Sequence, residues 1–332
     1  MKLIRGLHNI RPRHRNCVLT IGNFDGVHLG HQAVLARVRD RAAHLQLPAA
    51  VMIFEPQPLE LFRPAQAPAR LTRWREKFEL MTPLGLDYLI CTRFNGEFSQ
   101  QPAEHFIEQV LVKQLGVKHL VIGDDFRFGK GREGDFALLQ RAGQRFEFQV
   151  SDTQSFCQAK TRVSSTLVRE ALARGQFDQA AHMLGHPFHF TGRVSHGEKN
   201  GRKLGFPTAN LPLRRLHSPL KGVFAVSVVL QTQPGKFEWH QGVANIGKRP
   251  TLAGQQMQIE VHIFNFNASI YGAHMQVYPE FHIRDEQPFA SLQALQEQIA
   301  KDTAMAKHWF ATHNPLFQEP FRTRLSTGGQ SA

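Results

Sequence analysis

The stretch CVLTIGNFDGVHLGH, from Cys17 to His31, decides the fold of the first half of this chain. An apolar run, a glycine-rich turn and a histidine pair follow one another, which predicts a strand, a tight turn and the start of a helix. Backbone N–H groups and the positive end of the helix dipole make such a junction an anion site. His28 and His31 are three positions apart and therefore share one helical face. We predict that both imidazoles meet the charge that builds on a phosphate during attack.

Strand-like and helix-like segments alternate through this half. Apolar runs lie at 17–21, 49–54, 87–91, 119–123 and 146–150, and helical spacing is clearest at 34–45 and 106–115. This alternation predicts a parallel sheet covered on both faces. Ligands of such sheets bind beyond the carboxyl ends of the strands. The segments GNFDGVH, FEPQP (54–58) and GDDF (123–126) should therefore lie at the same edge.

The second half has a different pattern. Short β-like runs lie at 188–194, 223–230, 239–244, 257–264 and 275–283, and a helix with apolar residues at 292, 295 and 299 follows. This predicts a small antiparallel barrel or sandwich with a terminal helix. A helix stop, Gly185-His186-Pro187, separates the halves. We predict domains over 1–185 and 186–312, and a loosely ordered tail over 313–332.

Composition narrows the class of protein. The chain has 332 residues and three cysteines, with no CxxC pair, which predicts a reducing cytoplasm and no cysteine metal site. We expect no signal peptide and no membrane span. The net charge of +13 first suggests nucleic acid. Because the basic residues are scattered, we favour small polyphosphates such as ATP over nucleic acid as partners. The oligomeric state is left open.

Residues 22–31 resemble the (H/T)xGH signature of Rossmann-like nucleotidyltransferases, in the form found in prokaryotic bifunctional riboflavin kinase/FMN adenylyltransferases. VSSTLVR (163–169) resembles the (I/V)SSTxxR motif of the same superfamily, although a serine N-cap with a surface arginine would explain it alone. The resemblance implies that His28, His31 and Arg169 are catalytic. Asp25 is expected to stabilise the turn. The implied ATP contacts are Gly22, Asn23, Phe24, Gly30, Ser164, Ser165 and Thr166.

Two further segments resemble the flavin-side loops of this family. GDDFRFG (123–129) is similar to GxDFxFG, and FEPQP is similar to the second loop, which its prolines would stiffen. Aromatic rings can sandwich a planar heterocycle, but burial of Phe126 or Phe128 in a core is an equally good interpretation. The implied flavin contacts are Phe54, Pro56, Pro58, Phe62, Asp125 and Phe128.

GRKLGFPTAN (201–210) resembles the GxxLGFPTAN segment of riboflavin kinases. Thr208 and Asn210 are two apart on an extended chain, so their oxygens lie on one side, and such oxygens suit Mg²⁺. A P-loop is excluded because GxxxxGK[ST] does not occur. The resemblance implies that ATP contacts Gly201, Lys203, Gly205 and Pro207.

Glu260 lies in the alternating run IEVHI (259–263). A strand glutamate is more often on an exposed face, but the resemblance implies that this one is a general base. GVANIGKRPT (242–251) resembles another kinase segment. Arg284 and Glu286, in a segment similar to RxExxF, are implied to lie near the flavin.

The resemblance implies a Mg²⁺-dependent enzyme with two activities. The second domain would phosphorylate riboflavin to FMN with ATP, and the first would adenylylate FMN to FAD with release of pyrophosphate. Two alternatives are a protein with one degenerate domain and a basic protein that only binds RNA or flavin. The retained phosphate-binding and general-base candidates oppose both alternatives, and a pure binder in particular needs no Glu260.

Overall fold

The structure, a computed structural model, describes residues 1–123, 125–153, 163–197, 201, 205–233, 235–251 and 254–317. It forms two compact units, one of Met1–Pro68 with Thr72–Ser165 and one of Ala69–Leu71 with the residues from Thr166 onward. The division falls after Ser165, earlier than the boundary that we predicted at 185. The reason is packing, since the helices over 165–184 contribute buried residues to the core of the second unit.

The first unit is built on a six-stranded parallel sheet in the order β1-β4-β3-β2-β5-β6. Its strands are β1 (Lys2–Arg5), β2 (Val18–Ile21), β3 (Ala49–Glu55), β4 (Tyr88–Arg93), β5 (His119–Ile122) and β6 (Gln149–Asp152). The chain winds from β2 towards β3 and β4 on one side, and through β5 and β6 on the other. The gap between the ends of β2 and β5 is thus a topological switch point, where ligands of such sheets bind.

Helices cover both faces of this sheet. They are α1 (Leu29–Leu45), α2 (Pro58–Phe62), α3 (Trp74–Met81), α4 (Gly96–Ser99), α5 (Ala103–His105, continued by a π-helix over Phe106–Gln114) and α6 (Phe136–Phe146). Successive strand residues enter different cores: Val18 packs under α1 with Leu35, and Leu19 packs with Ile107. The predicted parallel sheet is confirmed. We missed β1, an edge strand, because two of its four residues are charged.

The second unit contains an antiparallel sheet in the order β7-β12-β9-β10-β11-β8. Its elements are α7 (Ser165–Ala173), α8 (Phe177–Leu184), β7 (Phe190–Arg193), β8 (Ala209–Pro212), β9 (Gly222–Gln233), β10 (Lys236–Thr251), β11 (Gly254–Ile263), β12 (His274–Arg284) and α9 (Leu292–Thr312). A bridge from the Ser195 N–H to the Asn210 carbonyl (2.8 Å) joins the two ends into a nearly closed barrel. The predicted barrel and terminal helix are confirmed.

The segment after α9 is anchored to the barrel as far as Phe317. The Phe317 side chain is 2% exposed and its ring lies 4.2 Å from that of Tyr278. The buried Glu280 carboxylate accepts hydrogen bonds from the Leu316 N–H (2.7 Å) and the Phe317 N–H (3.4 Å). The predicted loose tail therefore begins no earlier than residue 318, and residues 318–332 lie outside the described part.

We expect Phe317→Ala to lower the free energy of unfolding of the second unit by about 3 kcal/mol, because it removes a buried aromatic ring and leaves a cavity. Denaturant unfolding followed by circular dichroism measures this change. Leu292→Ala is the control: Leu292 is 71% exposed, so its loss should change stability by less than about 0.5 kcal/mol. Equal stability of the two variants would contradict the anchoring of this segment.

Candidate active sites

The turn after β2 brings the two predicted histidines together. His28 is the N-cap of α1, and its Nδ1 accepts a hydrogen bond from the His31 N–H (3.3 Å). The two rings stack with their centroids 3.6 Å apart and their planes at 18°. Two imidazoles thus stand side by side at the N-terminus of a 17-residue helix, where the dipole favours an anion.

His31 is held in its neutral form. Its Nδ1 is buried and has no hydrogen-bond partner among the described residues, and the ring packs at 5.1 Å against Phe24. Burial lowers the pKa of His31 well below its usual range, and the neighbouring charges of His28 and Lys77 lower it further. At neutral pH this imidazole therefore offers a ring N–H to an anion rather than a full positive charge.

The turn itself has an unusual backbone. Phe24, Gly26 and Val27 have φ values of 46°, 87° and 46°, and the left-handed region is strained for a β-branched residue such as valine. The buried pair Asp25 and Thr72 holds this turn. Asp25 Oδ1 accepts from the Thr72 N–H (2.9 Å) and hydroxyl (3.3 Å), and the Gly26 N–H donates to Thr72 Oγ1 (2.8 Å).

Asp25 thus has the turn role that we expected. Sequence reasoning missed Thr72, which lies 47 residues away from Asp25 in the chain. No local motif marks that threonine.

The SSTxxR segment is divided between the units. Ser165 begins α7, and its hydroxyl donates to the Asp25 carbonyl (2.8 Å) in the histidine turn. A Cβ on Gly30 would lie 3.2 Å from the His28 ring, so a larger residue there would press against this imidazole. Arg169 follows on α7 within the second unit, where its Nε donates to the Ala69 carbonyl (2.5 Å).

Phenylalanines form a contiguous cluster beyond β3 and β5. Phe54 is 8% exposed and contacts Phe94, whereas Phe62 is 56% exposed and contacts the same ring. Phe128 is 9% exposed and stacks on Phe126 at 5.5 Å. The structure thus places Phe54 and Phe128 in the core, and among the predicted flavin contacts Phe62 and Asp125 are exposed.

The barrel of the second unit contains a cavity of about 700 Å³. Its wall includes six of the residues that we predicted: Gly201, Thr208, Asn210, Glu260, Arg284 and Glu286. It also includes seven polar residues to which the sequence assigned no role: His196, Asn245, Arg249, Gln258, His262, Gln287 and Asp302. Lys203 lies outside the described residues, and Gly205 and Pro207 precede Thr208 without lining the cavity.

Strand register explains why the predicted magnesium ligands meet the predicted base. Asn210 on β8 lies directly opposite Glu260 on β11, and residues opposite each other point to the same face. Ile259 and Val261 point the other way, into the core. The exposed-face interpretation of Glu260 is therefore wrong, since its side chain faces the cavity with 31% exposure.

Hydroxyl, amide and carboxylate oxygens thus line one cavity. The Asn210 amide is oriented by Gln258, whose Nε2 donates to Asn210 Oδ1 (2.6 Å). Such hard oxygen donors are the ligands that Mg²⁺ prefers. The side chains present therefore fit a magnesium ion held by Thr208 and Asn210.

Arg249 joins two acidic residues of the cavity. Its Nε donates to Glu260 Oε1 (3.0 Å), and its Nη1 donates to Glu286 Oε1 (3.2 Å). Burial lowers the pKa of Arg249, but the hydrogen bonds and charges of the two carboxylates outweigh burial and raise it. Arg249 therefore stays charged and fixes one oxygen of the Glu260 carboxylate.

Arg284 is held from the terminal helix. Its Nε and Nη2 donate to the two carboxylate oxygens of Asp302 at 3.0 and 2.8 Å, and its guanidinium lies 5.5 Å from the Phe289 ring. Asp302 is 3% exposed and also accepts from Gln298 Nε2 (2.8 Å). This bidentate pair ties the end of β12 to α9.

Two family models match the chain, FAD synthetase over residues 10–167 and riboflavin kinase over residues 184–310. The bifunctional riboflavin kinase/FMN adenylyltransferase of Escherichia coli strain K12 is 52% identical, covering 95% of this chain and 100% of its own. The chain belongs to this bifunctional family. The predicted order of the adenylyltransferase and kinase domains is confirmed.

A second relative with the same name supports this assignment. The Haemophilus influenzae member of the family is 50% identical, covering 93% of this chain and 99% of its own. A crystal structure described as a macrolide-efflux protein from Streptococcus pneumoniae has a TM-score of 0.70 and 29% identity, covering 95% of this chain and all of its own. In the part of this chain that the structure describes, no helix is both long and apolar enough to span a bilayer.

We expect Thr72→Val to reduce adenylyltransferase activity about 10- to 100-fold. The substitution keeps the side-chain shape but leaves the Gly26 N–H without its acceptor and Asp25 with one partner fewer, at a cost of about 1–3 kcal/mol, so the strained turn loses its position. FAD formation from FMN measures the effect, and riboflavin phosphorylation by the same sample is the control. Unchanged FAD formation would show that the turn holds without this clamp.

Proposed function

We propose that the second unit transfers the γ-phosphate of ATP to the 5′-hydroxyl of riboflavin, and that the first unit then joins the resulting FMN to the adenylyl group of ATP. One observation carries the proposal: each unit brings together a different group of residues that could bind phosphate. A carboxylate and hard oxygen ligands share a barrel cavity, whereas stacked imidazoles stand at a helix N-terminus beside a switch point.

In the kinase step, Glu260 takes the proton of the 5′-hydroxyl as general base. The hydroxyl oxygen bonds to the γ-phosphorus, the bond from that phosphorus to the β–γ bridging oxygen breaks, and ADP leaves. Arg249 fixes Oε1 of Glu260, so Oε2 receives the proton. Thr208 and Asn210 would hold Mg²⁺, which neutralises phosphate charge when bound. Gly201, Lys203, Gly205 and Pro207 are proposed ATP contacts.

In the adenylyl step, a phosphate oxygen of FMN attacks the α-phosphorus of ATP, and pyrophosphate leaves with the electron pair of the broken P–O bond. No covalent enzyme intermediate is needed, because positioning and charge stabilisation suffice. His28, His31 and the N–H groups at the start of α1 bind the phosphates. The other proposed nucleotide contacts are Gly22, Asn23, Phe24, Gly30, Ser164, Ser165, Thr166 and Arg169.

The flavin contacts remain proposals of the same kind. Phe62 and Asp125 are supported by their exposure beside the phenylalanine cluster. Phe54 and Phe128 would contribute from its buried part, and Pro56 and Pro58 would shape the loop between. In the kinase unit, Arg284 and Glu286 would face the flavin from positions fixed by Asp302 and Arg249.

We also propose that the protein acts in the cytoplasm on small molecules, without nucleic acid. The buried Cys17 is a free thiol, as expected in a reducing compartment. Salt-dependent RNA binding would contradict this part of the proposal.

The test is a time course with riboflavin, ATP and Mg²⁺, with the flavins resolved by chromatography. We expect FMN to appear before FAD, and both to disappear when a chelator removes the metal. FMN without FAD, or FAD only from added FMN, would leave one working unit. Neither product from a folded sample would overturn the proposal in favour of a binding protein.

A further inference from the structure

Asn245 stands beside the proposed general base but has no part in the chemistry described above. It lies directly opposite Glu260 in the β10–β11 register, and both residues line the barrel cavity. The Oδ1 atom of Asn245 is buried and has no hydrogen-bond partner among the described residues. The cavity wall therefore carries an unused acceptor next to the carboxylate that accepts a proton.

Such an atom needs an explanation. Buried polar atoms of native proteins are nearly always hydrogen-bonded, because leaving one unpaired costs free energy. Ala244 and Ile246 on either side point into the apolar core, so Asn245 points to the opposite face of the strand, towards the cavity. A donor that arrives with a ligand would satisfy this oxygen.

The position of Asn245 indicates which hydrogen-bond donor of a bound ligand could reach its Oδ1 atom. Residues opposite each other on antiparallel strands have Cβ atoms about 5 Å apart, so a group bound by Asn245 lies close to the group on which Glu260 acts. The phosphates of ATP carry no donor at neutral pH, and the adenine amine and the flavin ring N–H are far from the reacting hydroxyl in their own molecules. The ribityl hydroxyls remain, and since the 5′-hydroxyl gives its proton to Glu260, the adjacent 4′-hydroxyl is the nearest other donor.

We propose that Asn245 Oδ1 accepts a hydrogen bond from the 4′-hydroxyl of riboflavin and thereby holds the 5′-hydroxyl against Glu260. This inference rests on the kinase function proposed above. It makes Asn245 a residue that recognises a sugar-alcohol chain, so the kinase discriminates against flavins that lack this hydroxyl. A site built to pair with a substrate hydroxyl penalises the analogue without it.

The experiment compares riboflavin with 4′-deoxyriboflavin in the full-length wild type and in Asn245→Ala. We expect each single change to lower kcat/KM of phosphorylation about 10- to 100-fold, and the two together to lower it no further, because one hydrogen bond is lost only once. Gln241→Ala, an exposed change on the same strand, should leave both substrates at wild-type rates. Adenylylation of added FMN by each variant reports that the chain is folded.

Asn245→Asp keeps the acceptor oxygen and the shape of the side chain. We expect this variant to retain the preference for riboflavin over the deoxy analogue even if the added charge beside Glu260 lowers both rates. The inference would be overturned if the losses in kcat/KM multiplied when Asn245→Ala was assayed with 4′-deoxyriboflavin. It would also be overturned if Asn245→Ala phosphorylated riboflavin with wild-type kinetics. A wild-type protein that makes no FMN from riboflavin would instead remove the proposed kinase function itself.

Discussion

Replacing His31 with alanine should lower FAD formation from FMN by at least about 10²-fold and leave FMN formation from riboflavin close to the wild-type rate. Removing one preorganised donor from a site where transition-state charge develops has effects of this size. We expect His31 to act as such a donor, because burial lowers its pKa, its ring stacks on His28 and it lies at the start of α1. The measurement is a separate rate for each activity in one sample.

His44→Ala is the matched control, since His44 lies exposed in the last turn of the same helix. It should leave both activities unchanged. Loss of both activities in a folded His31→Ala protein would contradict the assignment of two separate sites.

The lowered pKa of His31 also predicts how its ring contributes to the pH response of the free enzyme. Above that low pKa the imidazole is already neutral, so kcat/KM for FAD formation should show no limb from His31 near its ordinary pKa of about 6.5. A change in kcat/KM near that pH could instead be seen in the wild type and in His44→Ala but not in His31→Ala. This result would show that the His31 imidazole is charged in the resting enzyme.

Glu260→Gln should have the opposite effect, lowering riboflavin phosphorylation by about 10²- to 10⁴-fold while FAD is still made from added FMN. Glutamine keeps the size of the side chain and an oxygen for the Arg249 Nε donor but cannot take a proton from the substrate. Chromatography of the products from riboflavin and from FMN separates the two rates.

Glu238→Gln on β10 is the control, because this residue pairs with Lys236 and His240 rather than lining the cavity. It should phosphorylate riboflavin normally. A fully active Glu260→Gln variant would show that another group, or the ATP itself, receives the proton.

Local patterns were sufficient for much of the fold and for the centre of each site. The run into Gly22 and the spacing of His28 and His31 predicted a strand, turn and helix that the structure contains. Alternation in 259–263 located Glu260 on a strand, although its face could not be predicted. A side chain that points away from the core can face either solvent or a cavity. Which of the two it faces depends on how the strands close into a barrel, and the sequence of one strand does not show this.

The partners of these residues could not be predicted, because long-range folding supplies them. Thr72 reaches Asp25 from 47 positions away, and Asp302 reaches Arg284 from the terminal helix. The sequence around Thr72 looks like that of any residue before a helix, and the sequence around Asp302 looks like that of any helix interior. The segment of β8 was expected to be extended but was not predicted as a strand, because it has only four residues and ends at a proline.

The sharing of Arg249 between two carboxylates has an electrostatic consequence for how nucleotide enters the barrel. Among the described residues, the cavity wall has three carboxylates, Glu260, Glu286 and Asp302, and two guanidinium groups, Arg249 and Arg284. These five groups sum to a formal charge of −1, although the whole chain carries +13. A bare polyphosphate is repelled by such a wall, whereas one already complexed with a divalent cation brings its own compensation. We therefore expect these groups to favour a nucleotide that arrives as its metal complex.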